Sequence, residues 1–221
     1  AYGTAYELLE RANNDKPLNA DSRVLVLGGA TSVGSIAIEL AKLFYGVNHV
    51  VATCSPTSAD YVKEYGATDI INYRVNDLSA EFKKYVEKQG EKFDTILDCV
   101  GGYDALRVSN DILKPCSEGS SYYSLMGDTP PSDSYAHTMV NTLTNIPRMI
   151  MRTKLGKWYG INYAFFQVSR GKWTETAYEI FSIPGMHVPI DSVHSLKDIQ
   201  TAWDKVNSTK ARGKVIVKMQ A

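Results

Sequence analysis

Gly28 and Gly34 stand six residues apart around Thr31, directly after the apolar run Val24-Leu25-Val26-Leu27. Four apolar residues ended by glycine are the pattern of a parallel strand buried on both faces. Val33, Ile36, Ala37, Leu40, Ala41 and Phe44 then recur at helical spacing. A strand, a glycine turn and a helix opening on small residues together make an anion site. Unpaired backbone N–H groups and the positive end of the helix dipole face whatever lies beyond the turn. The anion that such a turn usually meets is the pyrophosphate of a dinucleotide, which Gly28, Ser32, Val33 and Gly34 would line. Thr31 stands where G-x-x-G-x-x-G has its middle glycine, the residue that lets backbone and phosphate come close. The turn therefore supports the fold more strongly than it supports a bound cofactor. The Thr31 hydroxyl keeps the ability to donate to a phosphate oxygen, so binding is weakened rather than excluded.

A second strand, Val50-Val51-Ala52-Thr53, ends in Thr53-Cys54-Ser55. An acidic residue there would bond the ribose 2′-hydroxyl of NAD. None is present, so a bound dinucleotide is expected to be NADP(H), held weakly or not at all. The sequence contains no visible pairing of nucleophile and base, and catalytic residues stay unassigned.

The composition excludes several classes. Lys+Arg and Asp+Glu are equal at 24 each in 221 residues, so nothing suggests nucleic acid as a partner. No apolar run approaches the roughly 20 residues that cross a bilayer. The start, Ala1-Tyr2-Gly3-Thr4, has no basic and apolar signal-peptide pattern and no initiator Met, so the chain reads as part of something longer or as a processed product. Three cysteines, Cys54, Cys99 and Cys116, are an odd number at long spacing, which favours a reducing compartment and a cytoplasmic location. The four histidines are scattered, and no metal site is expected.

The elements that must position the turn follow in alternation. Tyr6 to Ala12 reads as a short helix and Val33 to Tyr45 as the helix after the turn. Ser58 to Tyr65 is a helix, Asp69 to Asn72 a strand, and Leu78 to Gly90 a helix. Phe93 to Asp98 is a strand, Tyr103 to Leu113 a single helix, and Gly119 to Ser124 a fifth strand. After the proline-rich loop beginning at Gly127 come a helix through Met151, a strand over Ile161 to Val168, helices over Trp173 to Ile183 and Leu196 to Val206, and a final strand Val215 to Val217. This order predicts an α/β fold, a Rossmann-type doubly wound parallel sheet over residues 1–161, with a C-terminal α/β extension over 162–221.

The motifs also resemble a family. Gly3-Thr4-Ala5-Tyr6, the turn with its helix, Tyr65-Gly66-Ala67-Thr68-Asp69, Asp98-Cys99-Val100-Gly101-Gly102, Leu113-Lys114-Pro115 and Ala211-Arg212-Gly213-Lys214-Val215 stand in the order found in the medium-chain dehydrogenase/reductase superfamily. The resemblance is to its zinc-free, quinone-oxidoreductase-like branch, and covers nearly the whole chain. It implies that Val100 and Gly101 run beside the nicotinamide ribose, that Phe166 and Val168 meet the nicotinamide amide, and that Lys214 contacts a phosphate. Thr53, Ser55 and Tyr73 are the further cofactor-binding candidates. In NADPH-using relatives a basic residue follows the serine and proline; here that position is Thr57, and Arg74 is the nearby alternative. Family members open with a GroES-like catalytic domain, which would be this chain's partner and would cover residues from about Asn162 onward. Without it the chain is expected to be inactive and to self-associate. Two functions follow from the resemblance. One is an NADPH-dependent quinone or enoyl reductase. The other is a catalytically silent relative, like the fungal reductase-like factors that help target the plasma-membrane proton ATPase, with a membrane-protein client and a place at the membrane periphery.

Overall fold

The computed structural model describes residues 1–126, 147–148, 150–165, 173–208 and 211–219. Strand β1 (Arg23–Leu27) is buried at all five positions because both of its faces are covered. Val24 and Val26 enter one core, while Leu25 and Leu27 enter the other. Strands β2 (His49–Cys54), β3 (Asp69–Asn72), β4 (Thr95–Asp98), β5 (Ser121–Ser124) and β6 (Tyr163–Phe165) complete a six-stranded sheet. All pairs are parallel, in the order β3-β2-β1-β4-β5-β6. The order reverses at β1, so the strand ends of β1 and β4 bound the crevice where ligands bind in such sheets. This is the doubly wound arrangement expected.

Helices α1 (Tyr2–Asp15), α2 (Ser32–Leu43) and α3 (Ala59–Glu64) join one core through Leu8, Leu9, Ile36, Leu40 and Val62. Helices α4 (Leu78–Gln89), α5 (Asp104–Arg107) and α6 (Ser109–Ile112) join the other through Phe82, Ala105, Val108 and Ile112. Ile36, Ala37 and Leu40 are fully buried, as the helical spacing predicts, and Val33 is partly so. Burial continues round α2, from Gly34 through Ala41, because α1 packs on its outer side.

The single helix expected over Tyr103 to Leu113 is two short ones. Val108 breaks it at φ −109° and ψ 15°, and the Ser109 hydroxyl donates to the Leu106 carbonyl at 2.8 Å. Such local side-chain bonds compete with the helical ladder. The expected division after residue 161 precedes β6, which pairs with β5 in the main sheet. The next helix, α7 (Trp173–Phe181), folds back on α1: Trp173 lies over Gly3, where a Cβ would come within 2.6 Å of Nε1. Most of the helix expected before Met151 lies outside the described residues.

Beyond α7, β7 (Ile190–Ser195), α8 (Ile199–Asn207) and β8 (Lys214–Lys218) form a parallel two-stranded unit. Its link to the main body includes a buried carboxylate. Glu39 of α2, 2% exposed, accepts from the His187 backbone N–H at 3.0 Å and from Tyr2 at 3.2 Å, and pairs with His187 Nδ1 at 2.8 Å.

At the opposite end of the sheet, buried Asp94 binds Lys16 at 2.6 Å, Lys114 at 2.9 Å and the Arg23 N–H at 2.8 Å. Burial alone would raise its pKa, but these hydrogen bonds together hold the carboxyl below the usual carboxylate range. A depressed carboxyl stabilises the fold above its unfolded pKa, and that contribution fades as pH falls through the folded value. Asp94→Asn should therefore cost about 2 kcal/mol at pH 7. Denaturant titrations should show the gap to the unsubstituted chain closing below about pH 4; a gap independent of pH would contradict this.

Candidate functional site

The site is built where β1 stops. Gly28 takes φ +80°, and a Cβ on it would run into the Val100 side chain. A Cβ on Gly34 would fall on the Gly28 carbonyl oxygen, so the helix can approach the strand this closely only as glycine. The end of β2 is stitched to the same turn. Thr53 Oγ1 accepts from the Gly28 N–H at 2.8 Å, and the Thr53 carbonyl accepts from the Gly29 N–H at 2.8 Å.

Thr31 is the N-cap of α2: its backbone is extended at φ −76° and ψ 159°, and Oγ1 accepts from the Gly34 N–H at 3.0 Å. Its side chain thus turns in on the helix end, and it uses one donor that a phosphate could have taken. Two donors remain. Among the described residues the N–H groups of Ser32 and Val33, in the first turn of α2, have no acceptor. They fit an anionic group such as a pyrophosphate. The Ser32 hydroxyl donates to the Gly213 carbonyl at 3.3 Å, which brings the exposed Lys214 to the same mouth.

Across the crevice, Asp98 organises the loop after β4. Its carboxylate accepts from Gly101 N–H at 2.7 Å, Val100 N–H at 3.1 Å, Tyr122 hydroxyl at 3.0 Å and Ser124 hydroxyl at 3.4 Å. Burial pushes its pKa up, against these donors. Gly101 and Gly102 follow at φ 77° and 106°, a path that side chains rarely take. The sequence showed Asp98 only as a motif residue; a carboxylate ending a buried strand before two glycines was the available signal.

At the end of β2, Ser55 is buried, with its hydroxyl 3.0 Å from Thr57 Oγ1 and 3.2 Å from Ser58 Oγ. Tyr73 follows β3 and is exposed, with the Arg74 guanidinium 5.9 Å from its ring centre. Gly28, Thr31, Ser32, Val33, Gly34, Thr53, Val100 and Gly101 are thus one cluster. Ser55 and Tyr73 lie at the neighbouring strand ends, and Lys214 enters from the C-terminal unit. Phe166 and Val168 lie outside the described residues. Burial pushes the Cys54 and Cys99 thiols up, away from nucleophilic use. A separate cavity of about 460 Å³, lined by Tyr103, Arg107, Arg152 and Tyr163 among others, contains none of the turn residues.

If Thr31 acts as the cap, Thr31→Ala should lower stability by about 1 kcal/mol and Thr31→Ser should restore it. Gly34→Ala should be far more damaging. Thermal melts in which Thr31→Ala matches the unsubstituted chain would contradict the assignment.

A family model described as zinc-binding dehydrogenase matches residues 32–121. Among the described residues no three His, Cys, Asp or Glu side chains gather as a metal site, and no helix is long and apolar enough to cross a membrane. The chain is 32% identical to Protein YIM1-1 of Lachancea thermotolerans, over 99% of this chain and 60% of that protein. It is 29% identical to Protein YIM1 of Saccharomyces cerevisiae (strain RM11-1a), over 99% of this chain and 59% of that one. It spans about three fifths of the length of the curated relatives it matches. The fold matches the quinone oxidoreductase of Coxiella burnetii (TM-score 0.68, 23% identity, 99% of this chain, 58% of that one). A mycobacterial protein complexed with NADPH (TM-score 0.64, 20% identity, 98% and 61%) and the JamJ enoyl reductase (TM-score 0.66, 22%, 99% and 60%) share it. The family model over residues 32–121, the parallel sheet in the order 3-2-1-4-5-6 and the motifs from Gly28 to Lys214 make this chain similar to the nucleotide-binding domains of the medium-chain dehydrogenase/reductase superfamily.

Proposed function

We propose that this domain holds NADP(H) for hydride transfer in a quinone- or enoyl-reductase-like protein. The observation that carries the reading is the pair of N–H groups, Ser32 and Val33, that have no acceptor among the described residues and open a buried 12-residue helix. Beside them, the residues that end β2 offer hydroxyls and no carboxylate. Those N–H groups and the helix dipole would bind the pyrophosphate, and Thr53 holds the turn that aims them. Asp98 holds Val100 and Gly101 in place along the crevice where the nicotinamide ribose would lie. Once bound, the cofactor would supply the hydride, and the chain's own task is to position it.

The rest of the active site would come from a GroES-like domain. The C-terminal unit supports this, since Ile190, Val193, Leu196, Ile199 and Trp203 are all exposed there. A self-associating chain would cover the same surface. A second reading, a reductase fold kept as a targeting factor for a membrane-protein client such as the proton ATPase, is favoured by one observation. Thr31 has taken the Gly34 donor for capping, so a phosphate is left with fewer handles.

Calorimetric titration separates the two. The first reading expects NADPH to bind with Kd of about 10 μM or weaker, near 7 kcal/mol, and NADH to bind more weakly still. Heat from neither dinucleotide up to millimolar concentration would leave the targeting reading.

A further inference from the structure

A ribose 2′-phosphate is a dianion and calls for a cation, yet Thr53 to Ser58 carry none. The cation comes from the far end of the chain. Arg212, in the loop before β8, places Nη2 2.7 Å from the Thr57 carbonyl, across 155 positions of sequence. In the same turn the Ser55 hydroxyl lies 3.0 Å from that of Thr57 and 3.2 Å from that of Ser58. Three hydroxyls and a guanidinium therefore meet at the strand end where such folds read the adenosine ribose. We propose that Arg212 is the 2′-phosphate ligand of this domain and the residue that sets its preference for NADP(H) over NAD(H). This rests on the cofactor reading above.

Two features of the structure suit Arg212 to the role. Its backbone is pinned on both sides. The Arg212 N–H donates to Asp191 Oδ1 at 2.7 Å, and Asp191 in turn pairs with Lys205 at 3.3 Å. Gly213 follows at φ +122°, packed so that a Cβ would come within 2.5 Å of the Pro189 carbonyl, while its own carbonyl accepts from Ser32. A guanidinium carried on such a fixed loop loses little freedom on binding. Its present partner is also weak: a neutral carbonyl takes one of its five N–H groups, and among the described residues no carboxylate pairs with it. A phosphate offers charge-assisted and bidentate bonds, so it would displace the carbonyl. Arg74, the basic residue that local sequence suggests, lies instead along the Tyr73 ring after β3.

The test is calorimetry with NADPH, NADH, adenosine 2′,5′-bisphosphate and AMP on four chains: unsubstituted, Arg212→Ala, Arg212→Lys, and Arg212→Ala combined with Thr57→Lys. Thermal melts check that each variant folds. Arg212→Ala should weaken NADPH and the bisphosphate about tenfold to hundredfold, and leave NADH and AMP nearly unchanged. Arg212→Lys should fall between, and Thr57→Lys should recover the NADPH preference by returning a cation to the end of β2. If Arg212→Ala retains the full preference, Arg212 is not the ligand, although the cofactor reading survives. If the unsubstituted chain binds neither dinucleotide, the cofactor reading fails and this inference falls with it.

Discussion

Helix α2 leaves β1 so closely that Gly34 lies against the Gly28 carbonyl, and a single Cβ there would fill the gap. The rest of the crevice depends on that approach. It brings the helix N-terminus, with the first-turn N–H groups of Ser32 and Val33, to the strand end. It also sets Gly28 against Val100, so the β1 and β4 loops face each other across the switch point. Thr31 fits the same logic. An N-cap fixes where the helix starts, and here it does so with a side chain where relatives with a full glycine motif have none. Helix definition and phosphate access compete for one N–H group, that of Gly34. In this chain the helix has it.

The C-terminal unit is tied to the crevice rather than merely appended to the sheet. His187 and Gly213 touch α2 at Glu39 and Ser32, and Arg212 touches the β2 end at Thr57. The Ser32 contact is at the glycine turn itself, and the Thr57 contact is just past the end of the neighbouring β2. The unit's outward face keeps Ile190, Val193 and Trp203 in solvent, and a two-stranded parallel sheet with one helix is a small element to stand alone.

Much of this was legible in the sequence, for identifiable reasons. The buried strands announced themselves because parallel strands covered on both faces must be apolar throughout, as at Val24 to Leu27. The α2 face followed from the spacing of Ile36, Ala37 and Leu40. The departure at Thr31 was visible too, but its use as a cap was not, since that depends on backbone angles around it. Strand β7 was missed because Ile190-Asp191-Ser192-Val193-His194-Ser195 carries polar residues at four of six positions, as a half-exposed strand does. The Ser109 hydroxyl that splits the α5–α6 segment left no periodic trace. Arg212 at Thr57 is a contact between residues 155 apart, and no local pattern could announce it. Pairings within an element are written in its spacing, whereas those between distant loops are written only in the fold.

The central claim is that the first turn of α2 is the anion seat of this domain. Backbone ¹⁵N–¹H spectra recorded while NADPH is added test it at single residues. The account predicts that the Ser32 and Val33 amide resonances move furthest and saturate together, with Gly28, Val100 and Gly101 following, while residues near the cavity at Tyr103 and Arg107 stay in place. Saturating shifts at that cavity, with Ser32 and Val33 unmoved, would contradict the account.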